Sequence, residues 1–200
     1  MVEKKSEWPR VFFHIFSGLT IILLYGLTGI SKESALIIFG AVTLFFLLGD
    51  ILRQFYPAVN RVAKRIFGAL MHPAEEEKRL GSSTYYVVGC WLTMFMFSKL
   101  ITCISILFLI CGDAPAKIVG ERWGRRRIGR KTLEGSLANF VVCFLVVLPI
   151  LKFLGQPHAL LASLLGALGA TGAEMIPKVD NLTIPLFSGI ILTVLLGPSP

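Results

Sequence analysis

Apolar runs close to 20 residues long are the feature that most restricts what this chain can fold into. A helix rises about 1.5 Å per residue, so about 20 apolar residues cross the roughly 30 Å hydrocarbon core of a bilayer. The 200 residues are 54% hydrophobic and only 16% charged, with a mean hydropathy of +0.74. A soluble domain carries about 25% charged residues. The composition therefore excludes an ordinary soluble domain and predicts an all-α, polytopic membrane protein.

The runs predict seven transmembrane helices within one membrane-embedded domain that covers residues 1–200. The third and fourth helices depend on a turn at Lys99, without which they merge and leave six spans. With seven spans and a cytoplasmic N-terminus, 17 of the 20 Lys and Arg residues fall on the cytoplasmic side, and only Lys32, Lys99 and Lys152 fall outside. Short cytoplasmic loops carry such an excess, so we favour seven spans. Their approximate bounds are 11–30, 34–55, 82–97, 99–119, 135–154, 158–176 and 182–197.

Residues 57–71 predict one short helix that lies in the membrane interface. Val59, Val62 and Ile66 recur at helical spacing, while Arg61 and Lys64 occupy the other side. Basic residues at this depth meet anionic headgroups. We therefore interpret the net charge of +8 as an indication that the protein contacts anionic phospholipids and does not bind nucleic acid.

Four acidic residues fall near the ends of predicted spans on the cytoplasmic side: Asp113, Glu134, Glu174 and Asp180. An acidic group near hydrocarbon is costly, so each needs a reason. The segment 112–136 between the fourth and fifth spans is rich in basic residues and glycines. Mg²⁺ binds through one or two carboxylates plus substrate phosphates, so this pattern indicates Mg²⁺ and a polyphosphate. The simpler alternative is a basic loop required by topology, with solvated acids at the helix ends.

A transporter is an alternative from a different class of protein. It would place ionisable groups near the midpoints of spans and would show repeated halves with broken helices. Here the acidic residues gather at one predicted face, and the sequence contains no visible internal repeat. The pattern favours an enzyme.

Several blocks resemble the signature of the CTP-dependent lipid kinases, a family that includes dolichol and other polyprenol kinases, phytol kinase and CTP-dependent diacylglycerol kinase. The central blocks are GDAPA at 112–116, VGERWG at 119–124 and RKTLEGSLA at 130–138. RVFFH at 10–14, the Gly…Tyr-Tyr segment at 81–86, and Glu174 followed by DNLTIP at 180–185 extend the likeness to both ends. Lys117 departs from the pattern, because the family usually has a small or apolar residue there.

The resemblance implies a phosphotransferase that moves the γ-phosphoryl group of CTP to the hydroxyl of a lipid alcohol such as a polyprenol, dolichol, diacylglycerol or phytol. The site would face the cytoplasm from the inner membrane or an endomembrane. Asp113 and Asp180 would coordinate Mg²⁺, Lys131 would neutralise the triphosphate, and Glu134 or Glu174 would serve as a second metal contact or as the base. Arg10 and His14 would contact the substrate. The expected nucleotide-binding residues are Gly112, Lys117, Gly120, Arg122, Gly124, Arg125, Arg126, Arg127, Arg130, Thr132 and Asn181.

The central block also resembles phosphatidate cytidylyltransferase, which is the main alternative enzyme. That enzyme would use the same nucleotide and metal, but it would join the α-phosphorus of CTP to a lipid phosphate. The chain lacks the closing His-Gly-Gly…Asp-Arg…Asp pattern of that family and has DNLT at 180–183 instead. We therefore favour the kinase.

Overall fold

The computed structural model describes residues 8–68, 80–129, 131–176 and 179–197, and helices make up most of them. The all-α class is confirmed. A hairpin of two strands, each two residues long, is the one departure from helix and loop among these residues. The elements are α1 (Trp8–Ile21, continued as π-helix Ile22–Leu27), α2 (Lys32–Phe55), α3 (Pro57–Phe67), α4 (Ser82–Met96), α5 (Lys99–Trp123), β1 (Arg127–Ile128), β2 (Lys131–Thr132), α6 (Leu133–Phe153), α7 (Ala159–Glu174) and α8 (Asp180–Leu196).

Each of the seven predicted spans coincides with a helix of the structure, but only some of these helices have the length to cross a bilayer. Four are long and apolar enough: Trp8–Leu27, α2, α5 and α6. The other three, α4, α7 and α8, have 15, 16 and 17 residues, fewer than the ~20 that a full crossing needs. Seven crossings and the side of the N-terminus stay predictions, and residues 1–7 lie outside the described residues.

The junction between α2 and α3 is set by Pro57. Tyr56 adopts an extended conformation, which the residue before a proline prefers. Pro57 then occupies the first turn of α3, where its missing N–H costs nothing. The predicted amphipathic helix is thus confirmed from Pro57 to Phe67, and residues 69–71 of the prediction lie outside the described residues. Its place in the membrane interface stays a prediction.

α5 is the central helix of the bundle and packs against α1, α4, α6, α7 and α8. Its buried side chains include Ile101, Ile106 and Phe108. A Cβ on Gly166 of α7 would lie 2.9 Å from the Phe108 ring, so this glycine lets α7 approach α5 closely. The close packing brings the ends of α5, α6, α7 and α8 together.

Two lysines join the turns at one end of the bundle. Lys32, in the first turn of α2, donates to the backbone carbonyl of Phe97 at 2.9 Å, and Lys99, at the start of α5, donates to that of Ile30 at 2.9 Å. The Lys99 ammonium also lies 5.1 Å from the centre of the Tyr25 ring. Lys32 therefore binds the turn between α4 and α5, and Lys99 binds the turn that precedes α2. The predicted turn at Lys99, which the six-span alternative lacks, is confirmed.

We expect Lys99→Met to lower the stability of the detergent-solubilised protein by about 2 kcal/mol, because it removes a charge-assisted hydrogen bond and a cation–π contact. For a chain of this size this is a fall of roughly 4–8 °C in Tm. Thermal unfolding measured by intrinsic fluorescence checks it. Lys152→Met, at an exposed position, is the matched control, and equal Tm values for the two variants would contradict the proposed role of Lys99.

Candidate functional site

An ion-pair cluster joins three separate segments of the chain at one end of the bundle. Lys131 lies in β2, Glu174 is the last residue of α7, and Asp180 is the first residue of α8. The Lys131 Nζ lies 2.8 Å from Glu174 Oε1 and 3.3 Å from Asp180 Oδ2. Glu174 is only 1% exposed, while Lys131 and Asp180 are 30% and 24% exposed. A buried carboxylate is tolerated only when it is paired, so these three residues form one unit.

The electrostatics of the cluster keep Lys131 in its charged form. Burial by itself lowers the pKa of the Lys131 ammonium, but the carboxylates of Glu174, Asp180 and Asp113 outweigh burial, and the pKa is raised above its usual value. Asp113, which is half-buried on α5, thus belongs to the electrostatic surroundings of the cluster. The Ser136 hydroxyl lies 3.5 Å from Glu174 Oε2. The structure therefore brings together four of the five predicted catalytic residues.

Glu134, the fifth, is engaged with the hairpin before α6. Its carboxylate oxygens accept hydrogen bonds from the backbone N–H of Arg126 at 3.2 and 3.3 Å. Leu133 N donates to the carbonyl of Arg126 at 2.9 Å, and the Thr132 hydroxyl accepts from Gly135 N at 3.2 Å as the N-cap of α6. Thr132 and Glu134 thus stabilise the local fold, and the contacts predicted between Thr132 and a nucleotide stay untested.

The first part of the predicted nucleotide-binding loop 112–136 is helical, because α5 extends to Trp123, four residues beyond the predicted end of the fourth span at 119. The glycines that indicated a loop instead allow close packing. A Cβ on Gly112 would lie 2.7 Å from the amide of Asn139, and one on Gly120 would lie 2.8 Å from Thr132 Oγ1. Gly124 also lies beside Thr132. These glycines serve contacts within the protein, and the real connection begins after Trp123.

The basic residues predicted to bind the nucleotide are divided between the helix and the connection. Lys117 is half-buried on α5, one turn after Asp113. Arg130 lies outside the described residues. The others are exposed at the end of α5 and in the hairpin: Arg122, Arg125, Arg126 and Arg127.

His14 of α1 lies beside the cluster and is buried. It interacts electrostatically with Arg10, Lys117 and Asp180, so the two residues predicted to contact the substrate both belong to this end of the bundle. The His14 ring stacks on Tyr86 at 4.5 Å, and the Tyr86 hydroxyl donates to the His14 carbonyl at 2.9 Å. Neither ring nitrogen has a hydrogen-bond partner within the part of the chain that the structure describes, which is unusual for a buried polar group.

Asn181 connects α8 to α4 through its side chain. Its Nδ2 donates to the Ser82 carbonyl at 3.3 Å and to the Ser82 hydroxyl at 2.8 Å. Its backbone N–H donates to Asp180 Oδ1 at 3.0 Å. The amide is therefore occupied by protein contacts, and the predicted contact between Asn181 and the nucleotide stays untested.

Sequence reasoning missed Asp50, a buried carboxylate of α2. It pairs with Arg53, and its Oδ2 accepts from the backbone N–H of Gly81 and from the Thr84 hydroxyl at 2.7 Å. These bonds fasten α2 to the first turn of α4. An acid inside a predicted apolar span, with an arginine three residues later, was the signal that could have found it.

The chain is similar in sequence to several known proteins. Over 143 residues, or 70% of the chain, it is 32% identical to a CTP-dependent diacylglycerol kinase of Schizosaccharomyces pombe, of whose length it covers 64%. It is 29% identical to the enzyme of that name in Saccharomyces cerevisiae over 96% of the chain, covering 74% of that protein. It is 25% identical to a phytol kinase of Synechocystis over 93% of the chain, covering 78% of that protein.

Neither a protein-family model nor a solved structure matches the chain. The similarity to curated sequences extends over nearly its whole length and includes the segments that form the ion-pair cluster. On this basis the chain is similar, over most of its length, to CTP-dependent diacylglycerol kinases and a phytol kinase, and over a shorter stretch to a dolichol kinase.

Proposed function

We propose that this protein is a lipid kinase that transfers the γ-phosphoryl group of CTP to the hydroxyl of a membrane lipid alcohol. The observation that carries the proposal is the cluster in which Lys131 lies between the carboxylates of Glu174 and Asp180. A charged lysine beside several carboxylates supplies the two kinds of group that a metal–triphosphate complex requires. The relatives named as diacylglycerol and phytol kinases act, by their names, on lipid alcohols.

The transfer forms one bond and breaks another. The hydroxyl oxygen of the lipid attacks the γ-phosphorus, the bond from that phosphorus to the bridging oxygen breaks, and CDP leaves. Such a reaction depends on positioning and electrostatic stabilisation more than on covalent chemistry by the protein. The ammonium of Lys131 would hold phosphate oxygens at a fixed place, while the exposed Arg122 and Arg125–Arg127 would attract the polyanion from solution.

The carboxylates of the site fit a magnesium ion that arrives with the nucleotide. Within the described residues, no group of three or more His, Cys, Asp or Glu side chains could hold a metal ion alone. Mg²⁺ typically keeps several waters and takes one or two carboxylates plus substrate phosphates, which agrees with a sparse set of oxygen donors. Asp113 and Asp180 would hold the ion, which when bound would neutralise charge on the phosphates.

The hydroxyl proton needs an acceptor, and the geometry favours Glu174 over Glu134. Both oxygens of Glu134 accept hydrogen bonds from the Arg126 backbone, which supports a structural role in the hairpin. Glu174 lies in the cluster itself, beside Lys131 and Ser136. We assign the proton-accepting role to Glu174, and we assign to Glu134 the positioning of Lys131 through the hairpin.

The orientation in the membrane follows from the charges around the site. The exposed arginines of the hairpin and the basic residues of α3 would face the cytoplasm, as short positively charged loops do. The lipid alcohol would then reach the site from the inner leaflet of the inner membrane or from an endomembrane. α3 would lie on anionic phospholipids of the same surface.

Purified protein incubated with Mg²⁺, γ-labelled CTP and diacylglycerol, polyprenol or phytol should transfer label to lipid, with γ-labelled ATP as the comparison donor. We expect Asp113→Asn and Lys131→Ala to lower the rate at least about a hundredfold, equivalent to roughly 3 kcal/mol of lost electrostatic stabilisation. Thin-layer chromatography of the lipid extract provides the measurement. Glu33→Gln and Lys152→Ala make matched changes of charge at exposed positions and should retain full activity.

Two results would contradict this proposal. One is near-normal transfer by both Asp113→Asn and Lys131→Ala. The other is formation of CDP-lipid and pyrophosphate from CTP and phosphatidic acid, without labelling of any alcohol, which would identify a cytidylyltransferase.

The raised pKa of Lys131 predicts how the stability of the cluster depends on pH. A group whose pKa is raised by folding stabilises the fold fully below its unfolded pKa, near 10.4, and loses this contribution as the pH rises through the folded value. Lys131→Met leaves the Glu174 carboxylate buried without its partner, which costs about 3 kcal/mol. We therefore expect a constant Tm difference of roughly 6–12 °C between wild type and Lys131→Met from pH 7 to 9, which shrinks above about pH 10.4.

Lys131→Arg is the control for this pH dependence, since an arginine keeps its charge throughout the range. Its Tm should exceed that of Lys131→Met by an amount that does not shrink at high pH. A Tm difference between wild type and Lys131→Met that stays constant to pH 12 would show that the charge of Lys131 is not what stabilises the cluster. Thermal unfolding in a detergent stable to alkali provides all three curves.

A further inference from the structure

A cavity of about 270 Å³ lies between α2, α3 and the first turn of α4. The residues that line its wall are different from those of the ion-pair cluster. Its volume is just below the roughly 300–1,000 Å³ that is usual for small-molecule pockets. Most of its wall is apolar. The apolar side chains come from α2 and α3 and include Phe45, Phe46, Val59, Val62, Ile66 and Phe67.

The polar wall of the cavity carries no uncompensated charge that the structure shows. Asp50 and Arg53 line it and form an ion pair with each other, and Asp50 also accepts hydrogen bonds from Gly81 and Thr84. A nucleotide triphosphate entering here would lose its hydration beside an aspartate and six apolar side chains. The wall therefore fits an uncharged hydrocarbon chain, not a polyanion.

The polar end of the cavity is joined to the ion-pair cluster by one short connection. Gly81 and Ser83 line the cavity, and Ser82 between them accepts hydrogen bonds from the Asn181 amide at 2.8 and 3.3 Å. Asn181 directly follows Asp180, which contacts Lys131 at 3.3 Å. From the spacing of adjacent residues and one side-chain contact, the cavity and the carboxylate of Asp180 are within roughly 15 Å of each other.

The helix over the cavity has the character of a membrane-facing entrance. Val62 and Ile66 of α3 line the cavity and are also 57% and 65% exposed, so they present apolar surface on both sides. Arg61 and Arg65 on the same helix are exposed to the surroundings. Such a helix lies at the boundary between headgroups and acyl chains, where a lipid could pass its chain beneath it.

We propose that this cavity holds the part of the acceptor's hydrocarbon chain nearest the hydroxyl, and so positions that hydroxyl toward Asp180 and Lys131. The proposal rests on the lipid kinase function proposed above, and it names where that enzyme binds its lipid. The occupant is the lipid alcohol itself. A permanently bound phospholipid is the competing occupant, and the experiment below separates the two.

Gly49 offers a direct way to fill the cavity. It lines the cavity on α2, and a Cβ built on it meets no atom within 4 Å. A phenylalanine at this position would therefore occupy the space without striking the backbone. Gly49→Ala adds only one methyl group. Gly29 also has open space around its Cβ and precedes α2 by a few residues, roughly 25 Å away along the helix, so Gly29→Phe is the matched control.

The experiment uses the full chain in detergent–lipid mixed micelles and a long-chain alcohol with a photoactivatable diazirine near the hydroxyl end of its chain. We expect the label on peptides of α2 and α3 in wild type, and at least about a tenfold decrease in Gly49→Phe, since the ring would exclude methylene groups of the lipid chain that are buried in the cavity. The KM for the alcohol should rise by a similar factor while the KM for CTP stays unchanged. The labelling and the KM for the alcohol of Gly49→Ala should lie between those of wild type and Gly49→Phe. Gly29→Phe should match wild type in both.

Three outcomes would overturn the cavity assignment: label on other helices, labelling and KM of Gly49→Phe equal to wild type, or equal labelling by a diazirine phosphatidylcholine that excess alcohol does not displace. The last identifies a structural phospholipid. Photolabelling does not require turnover, so its result is independent of the proposed function. Specific, displaceable labelling of the cavity in a wild-type protein that transfers no phosphate would support the lipid site and contradict the kinase.

Discussion

The ion pair between Lys131 and Glu174 is the interaction on which the site depends. A carboxylate that is 1% exposed in an apolar bundle is tolerated only with a cation at hydrogen-bond distance. The partner comes from the hairpin before α6, 43 residues away along the chain. Because Asp180 shares the same ammonium, one lysine determines the relative places of β2, the end of α7 and the start of α8. The charges that would handle a triphosphate are thus also structural charges.

Close helix packing is what places Lys131 within reach of the other segments. A side chain at Gly112 would strike Asn139, and a side chain at Gly135 would lie 2.6 Å from the carbonyl of Ala116. These glycines let α5 and α6 approach along the stretch that contains Asp113. The basic hairpin therefore begins close to the carboxylates, and the side chain of Lys131 is long enough to contact them. Glycines that resembled a phosphate-binding loop act here as contact points between helices.

The sequence predicted the helices well, because each helix is an apolar run and polar residues, such as Lys99, separate it from the next. Acidic residues that hydrocarbon would not otherwise tolerate indicated Glu174 and Asp180, and the resemblance to the lipid kinases indicated Lys131. The prediction ended the fourth span at 119, four residues before α5 ends, since Pro115 and the nearby glycines are local signals that tertiary packing overrides. The contacts of Asp50 with Gly81 and Thr84 could not be predicted, because these partners are about 30 residues away, and Arg53 three residues later was the one local signal.

Asp180 and Asn181 connect the two halves of the proposed reaction. Successive residues of a helix point about 100° apart, so at the start of α8 the carboxylate of Asp180 contacts Lys131 while the amide of Asn181 contacts Ser82 beside the cavity. A shift of this first turn would alter the metal–nucleotide side and the lipid side together. The two substrates would therefore be positioned by one element, the first turn of α8.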